Sequence, residues 1–312
     1  MPDQKASRWT SDDIPDLSGK TIVVTGGNSG IGYEAALEFA RKRAKVVLAC
    51  RDLGKARTAA AQIVASAPTA DVEVMALDLS NLASIRGFAD AFHMRHQALH
   101  VLCNNAGVMA IPYRLTADGF EMQFGTNHLG HFALTGLLLP RLNDQPGARV
   151  VTVSSNNHKA GQMRFDDLQG EQRYSRWGAY AQSKLANLLF AFELDRRLKA
   201  GGRQLISVAA HPGYSATNLQ LSGPPPLERF AMRISNRLFA QSAEMGALPL
   251  LFAATAPDLN GGSYVGPKGV AEIRGYPVLV HATQRANDKE AGRRLWEISE
   301  RLTGVSYDLA AK

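Results

Sequence analysis

Tyr180 and Lys184 stand four residues apart in Ala-Tyr-Ala-Gln-Ser-Lys, within a stretch whose pattern predicts a helix over about 178–200. One helical turn separates them, so phenol and ammonium leave the same face. A free phenol titrates near pH ~10 and exchanges protons poorly at neutral pH. A cation one turn away favours the phenolate and draws that pKa toward a usable range. The chemistry on offer is proton transfer to or from a substrate oxygen. Such a pair also arises by chance on solvated helices, so its weight depends on its companions. The first is Thr25-Gly26-Gly27-Asn28-Ser29-Gly30-Ile31-Gly32, which follows a short apolar run and opens a helical pattern. Glycine there permits positive φ and close approach of backbone to a ligand. The N–H groups of the helix N-terminus then suit a pyrophosphate. A tight structural turn would give the same spacing; the strand–turn–helix setting favours a dinucleotide.

The elements that must position these groups are read from periodicity. Short apolar runs at about 21–24, 46–49, 72–77, 99–103, 149–153, 205–209 and 263–265 predict buried strands. Helical patterns at about 54–66, 81–97, 118–144, 178–200 and 287–302 lie between and after them, with another following the glycine-rich turn. Such alternation predicts an α/β fold: a doubly wound parallel sheet of the Rossmann type, covered on both faces. Residues 1–19 read as an N-terminal arm and 20–312 as one domain. A helical substrate-loop insertion at about 218–258 precedes the last strand. Within it Leu227, Phe230, Ile234 and Leu238 form an apolar stripe beside Arg229, Arg233 and Arg237. That insertion is expected to cap a pocket for an apolar substrate. The arginines are read as the solvated face of a lid, with an anionic membrane surface or an oligomer contact as alternatives.

Composition narrows the function classes. A hydrophobic fraction of 45% in 312 residues supports an ordinary core. No apolar run reaches the ~18 residues of a membrane span, and the N-terminus lacks the apolar region of a secretory signal. A cytoplasmic protein is expected. The net charge of +7 is dispersed and accompanies no nucleic-acid-binding motif, so no nucleic-acid partner is expected. The two cysteines, Cys50 and Cys103, end strands that would flank the first strand, too far apart for a disulfide and too few for a zinc site.

Together with Asp78-Leu79, Asn104-Asn105-Ala106-Gly107, Asn127, Ser154-Ser155 and Pro212-Gly213-x-x-x-Thr217, these motifs resemble the short-chain dehydrogenases/reductases in type and order. The resemblance spans about residues 18–217. Phe165-Asp-Asp-Leu-Gln169, Tyr174-Ser175 and Ser183-Lys-Leu-Ala-Asn187 resemble the retinol-dehydrogenase-like branch. The family implies an enzyme in which Tyr180 is the general acid in carbonyl reduction and the base in alcohol oxidation. It implies that Ser155 holds the substrate oxygen, Lys184 tunes Tyr180 and holds the nicotinamide ribose, and Asn127 supports a water leading from Lys184 to solvent. Ser154 competes with Ser155 for the serine role. The turn Gly26, Asn28, Ser29, Gly30, Ile31, Gly32 would hold the pyrophosphate, and Asp78 and Leu79 the adenine. Asn105, Ala106 and Gly107 would wall the adenosine side. Pro212, Gly213 and Thr217 would face the nicotinamide, with Thr217 on the carboxamide.

The end of the second strand meets the adenine ribose in such folds. An acidic residue there would repel a 2′-phosphate; this chain has Arg51, whose planar fork suits a phosphate. NADP(H) is therefore expected ahead of NAD(H), although an exposed arginine at a strand end would look the same. His128 and His131 are read as packing residues rather than metal ligands, and no metal is expected. His158 is read either as lining the pocket or as facing water. The family implies a homo-oligomer through the helices at about 118–144 and 178–200. The rival functions are an NADP(H) sensor without turnover and an epimerase or dehydratase.

Overall fold

The computed structural model describes residues 8–142, 144–214 and 241–310. Eight strands form one sheet: β1 (Thr21–Thr25), β2 (Lys45–Cys50), β3 (Asp71–Ala76), β4 (Val101–Asn104), β5 (Arg149–Val153), β6 (Ile206–Ala210), β7 (Tyr264–Pro267) and β8 (Pro277–Leu279). Their order is β3-β2-β1-β4-β5-β6-β7-β8. The chain runs outward from β1 to β3 and then crosses to β4. The crevice at the carboxyl ends of β1 and β4 is therefore the topological switch point, where ligands of open α/β sheets bind.

All strand pairs are parallel except the last, β7 with β8. The expected doubly wound parallel sheet is thus found with one antiparallel edge, and the run at 263–265 is not the last strand. Pro277-Val-Leu279 is too short to carry a recognisable apolar period.

Side chains of successive strand residues point to opposite faces. Ile22, Val24, Val46, Leu48, Val101 and Val151 pack on one side with α1 (Gly30–Arg41) and α2 (Leu53–Ser66). Val23, Val47, Leu102 and Val150 pack on the other with α3 (Leu82–Arg95). Ile14 and Leu17 are buried against the first face, so the described part of the expected arm is docked. A Thr10–Asp13 capping box shapes its entry.

The helix expected at 118–144 is shorter and not uniform. It comprises α4 (Met122–Phe124), a π-helical turn over Gly125–Leu129, α5 (Gly130–Leu138) and a 3-10 turn over Leu139–Arg141. Glu121 fixes its start by accepting hydrogen bonds from the N–H groups of Gln123 and Phe124. Beyond β5, α6 (Arg176–Ala200) carries the Tyr/Lys pair.

Only part of the insertion expected at 218–258 is described. The stripe at 227–238 and its arginines lie outside the described residues. The remainder forms α7 (Ala243–Thr255), and Ala247, Leu248, Leu250 and Leu251 pack into the core beside α1. That half is a sheet-covering helix, which corrects the expected boundary. Arg149 fastens it from below: buried at the start of β5, its guanidinium donates to the carbonyls of Ala253 (3.0 Å) and Ala256 (3.1 Å). A cation suits the carbonyl end of a helix. The two ends of the undescribed stretch meet, because Gln241 N–H donates to the Tyr214 carbonyl at 3.0 Å.

The C-terminal helix α8 (Lys289–Thr303) lies on α5 and α6. Its Trp296 meets Phe132 edge to face at 5.1 Å and stacks near Phe190 at 6.0 Å. Residues 180–191 are consequently buried within one chain. This outcome bears on the expected homo-oligomer, since the chain itself covers the middle of the helix meant to carry the contact.

Candidate active site

The carboxyl ends of β1, β4 and β5 bring the predicted residues together. Gly26 (φ +67°) and Gly30 (φ +54°) adopt left-handed backbone between β1 and α1. A Cβ on Gly32 would stand 2.5 Å from Asn105 Nδ2 and 2.6 Å from the Gly26 carbonyl, so only glycine lets the helix start against the strand end. Ser29 is the N-cap of α1 but makes no side-chain capping bond, which leaves the first N–H groups of α1 free of that competitor. Asn28 and Ile31 lie in the same turn. Cys50 sits beneath it, and burial pushes its thiol up to about 11.

Arg51 follows β2 and is exposed, with no ion pair among the described residues. Its neighbour Asp52 caps α2 by accepting from Lys55 N–H at 3.0 Å. Asp78 is half-buried at the end of β3, where its carboxylate accepts from the Ser80 backbone and hydroxyl. Leu79 is buried, and its carbonyl lies where a Cβ on Gly130 would fall.

A run of hydrogen bonds joins these parts to α6. Thr25 Oγ1 accepts from the N–H groups of Asn105 and Ala106, both at 2.9 Å. It also lies 2.9 Å from His131 Nε2. The other ring nitrogen, Nδ1, faces the Asn127 carbonyl at 3.0 Å. A carbonyl only accepts, so Nδ1 carries a proton. Burial lowers the His131 pKa to about 4, so the ring is neutral and Nε2 is a bare acceptor. The Thr25 hydroxyl has two acceptors in reach, the Cys103 carbonyl at 3.3 Å and His131 Nε2 at 2.9 Å, and the shorter contact is to His131.

Asn127 lies in the π-helical turn, where an extra residue per turn re-aims a side chain. Its amide is spent on Val108, accepting from the N–H at 2.8 Å and donating to the carbonyl at 2.9 Å. Its Nδ2 also donates to Ser183 Oγ at 2.9 Å, and Ser183 donates to the Tyr180 carbonyl. A Cβ on Gly107 would meet Asn127 Oδ1 at 2.9 Å and Lys184 Nζ at 3.7 Å. The strand-four loop thus approaches Asn127 this closely only because residue 107 is glycine.

Tyr180 is 4% exposed and Lys184 3%. Burial raises the phenol to about 12, opposed by a hydrogen bond with Ser155. Burial also lowers the Lys184 ammonium to about 8. Lys184 Nζ donates to the Val153 carbonyl at 3.1 Å and stands 5.8 Å from the centre of the Tyr180 ring. Desolvation thus outweighs the lysine's pull on the phenol in this arrangement. The two serines separate cleanly. Ser154 is buried, and its hydroxyl is committed to the Lys184 carbonyl at 2.8 Å. Ser155 is half-exposed beside Tyr180 and caps a 3-10 turn, accepting from Asn157 N–H at 3.2 Å.

On the outer side, Met109 and Ala110 pack on the Tyr180 ring, and Trp177 approaches it edge-on at 6.3 Å. Ala110 has φ +49° and is held by Gln123 Oε1, which accepts its N–H at 2.7 Å. Gln123 Nε2 in turn donates to Tyr174 Oη and to the Arg176 carbonyl. These supports were not anticipated. A glutamine and a glutamate at the start of an apolar helix were the only signal, and neither type names its partner.

His128 is buried against Phe124, its Nε2 lies 2.9 Å from Ser299 Oγ, and burial lowers its pKa to about 3. No group of three or more potential metal ligands occurs among the described residues. His158 does not face water; it is buried with Nδ1 against the Ser155 carbonyl at 2.7 Å. Pro212 and Gly213 (φ +66°) follow β6 at the same end of the sheet. Thr217 lies outside the described residues.

Comparison with known proteins is consistent with this geometry. The family model for short chain dehydrogenase matches residues 20–224. Retinol dehydrogenase 12 of Mus musculus is 42% identical over 295 residues, covering 94% of this chain and 89% of its own length. A solved structure of an uncharacterised protein from Mycobacterium paratuberculosis is 46% identical, with a TM-score of 0.81 and coverage of 96% of this chain and 99% of that one. The NADP active-site complex of RhlG from Pseudomonas aeruginosa is 26% identical with a TM-score of 0.60, covering 80% and 94%.

Replacing Thr25 by valine keeps its shape but removes the shared oxygen. It strands two N–H groups and the His131 acceptor, an expected loss of about 3 kcal/mol in urea unfolding. A change below about 1 kcal/mol would show that the oxygen is not the junction.

Proposed function

The chain belongs to the short-chain dehydrogenase/reductase family, in its retinol-dehydrogenase-like branch, and is an oxidoreductase acting on CH–OH groups; we propose that it interconverts the carbonyl and alcohol forms of an apolar small molecule, with Tyr180 as general acid/base and NADP(H) preferred over NAD(H). The observation that carries this reading is the buried Tyr180 phenol, with Ser155 beside it and Lys184 one turn away. The glycine turn and the start of α1, whose first N–H groups have no side-chain cap from Ser29, suit the pyrophosphate of a dinucleotide. When bound, the nicotinamide supplies the hydride. The protein's own residues orient the substrate and move one proton.

A phenol raised to about 12 keeps its proton at neutral pH and can give it to a carbonyl oxygen. Ser155 holds that oxygen as negative charge grows on it. Lys184, with its pKa at about 8, is largely cationic at pH 7 and holds the nicotinamide ribose. Asn127 fixes Val108 and, through Ser183, the turn that bears Tyr180. The Met109, Ala110 and Trp177 side of the phenol is apolar, which suits an apolar substrate. No described helix is long and apolar enough to cross a membrane. A cytoplasmic location is retained as part of this reading, and an oligomer contact would use a surface other than the middle of α6.

The testing experiment follows NADPH absorbance with a panel of apolar aldehydes and ketones, retinoids first because relatives carry retinol in their names. Tyr180→Phe is expected to lower kcat about 100-fold or more while NADPH binding persists. Tight NADPH binding without turnover in either direction would move the protein to a sensing role. Arg51→Asp is expected to weaken NADPH binding about tenfold or more and NADH binding far less; equal losses would remove the cofactor preference. In a pH profile, reduction is expected to hold through neutrality and fall as pH rises through about 8, where Lys184 loses its proton. A rate that stays flat to pH ~10 would detach that lysine's charge from the reaction.

A further inference from the structure

Three loops around the site converge on Glu272. It closes a 3-10 turn, Val270–Glu272, in the connection between β7 and β8. Ala271 (φ +51°) and Glu272 (φ +57°) are successive residues in the left-handed region, where a Cβ is disfavoured. Such backbone persists only where its surroundings determine it.

The surroundings are specific. Asn156 Nδ2 donates to the carbonyls of Ala271 (3.0 Å) and Glu272 (3.2 Å). Lys159 Nζ pairs with Glu272 Oε1 at 3.1 Å. Both partners belong to the turn that begins directly after Ser155. The other carboxylate oxygen, Oε2, faces His211 Nε2 at 3.0 Å. His211 is fully buried and leads into Pro212-Gly213. Its Nδ1 accepts from Gly213 N–H at 3.2 Å, so in the neutral ring the proton sits on Nε2, the nitrogen beside the carboxylate, though not aligned on it as a hydrogen bond. The next residue continues the seam: Tyr214 N–H donates to the Ile273 carbonyl at 2.7 Å, and a Cβ on Gly213 would strike that same carbonyl.

We propose that Glu272 is a positioning residue that clamps the Ser155 turn to the Pro212-Gly213 turn, so that the group holding the substrate oxygen and the loop facing the nicotinamide keep one fixed relation. The assignment rests on the reading above, in which those two turns face substrate and cofactor. One arm runs through Asn156 and Lys159 to Ser155. The other runs through His211, whose Nε2 lies 3.0 Å from the carboxylate and whose Nδ1 accepts from the Gly213 N–H. Glu272 itself touches neither reactant. Outer partners that orient metal ligands matter by about 10–100-fold, and the same scale is taken for this clamp.

The test compares Glu272→Ala, Glu272→Gln and Lys159→Met in the full chain, reading NADPH affinity by fluorescence titration, kcat and KM, and the thermal midpoint. Glu272→Ala is expected to weaken NADPH binding about tenfold and lower kcat about 10–100-fold. Glutamine offers one acceptor to His211 but no charge to Lys159. It is expected to restore NADPH affinity to within about threefold while kcat stays low. Lys159→Met should lower kcat with NADPH affinity near wild type. A purely structural role would move the thermal midpoint alone, and wild-type affinity and kcat in Glu272→Ala would overturn the clamp. If Glu272→Ala fails to fold, wild-type values in both other variants overturn it. If the wild-type protein turns over nothing in the panel, the functional reading fails, and the NADPH titration still decides the clamp: unchanged affinity in Glu272→Ala rejects it.

Discussion

A neutral imidazole at the centre of the sheet's carboxyl edge holds the site in register. His131 can receive the Thr25 hydroxyl on one nitrogen and give its proton to the Asn127 carbonyl on the other only while it is uncharged. Burial enforces that state. With it, the hydroxyl of β1 is oriented and its oxygen is left open to the N–H groups of Asn105 and Ala106. The π-helical turn is fixed at the other end, and the Asn127 side chain is aimed at Val108 and Ser183. Four segments distant in sequence are thus set by one proton's location. In an interior of low dielectric, such a chain is stable when every member is satisfied and costly when one is not.

The same dryness sets the working charges. It holds Tyr180 protonated and leaves Lys184 with a weakened grip on its proton, although an isolated pair at one-turn spacing would be read the opposite way for the phenol. Ser154 and Ser155 show how finely position divides roles. Adjacent residues at a strand end point to opposite sides, so one hydroxyl braces α6 while its neighbour looks outward.

Much of this was legible in the chain. Strand β5 falls where its apolar run lies, and the glycine turn and the Tyr/Lys helix stand where their motifs put them, because both signals are local. Three things were hidden for physical reasons. The π-helical turn carries no local period of its own, and only the bonds of Asn127 and His131 select it. The edge strand β8 has three residues and takes its direction from β7. The coverage of α6 by Trp296 joins residues more than a hundred positions apart, which no spacing rule reaches. His158 looked like a loop residue, but its ring is drawn inward by the Ser155 carbonyl and Tyr264.

Arg149 makes one part of the sheet depend on a distant part of the chain. Its guanidinium is buried under the sheet with carbonyl partners from Gly147, Ala253 and Ala256. Arginine cannot shed its proton at neutral pH even where burial lowers its pKa to about 10. Two of those partners are made about a hundred residues after the charge itself. Without α7, then, the charge on β5 would keep only the Gly147 carbonyl of these three partners. The floor beneath β5 is therefore completed from the far end of the sheet, and the cover of this charge belongs to α7 as much as to the strand that carries it.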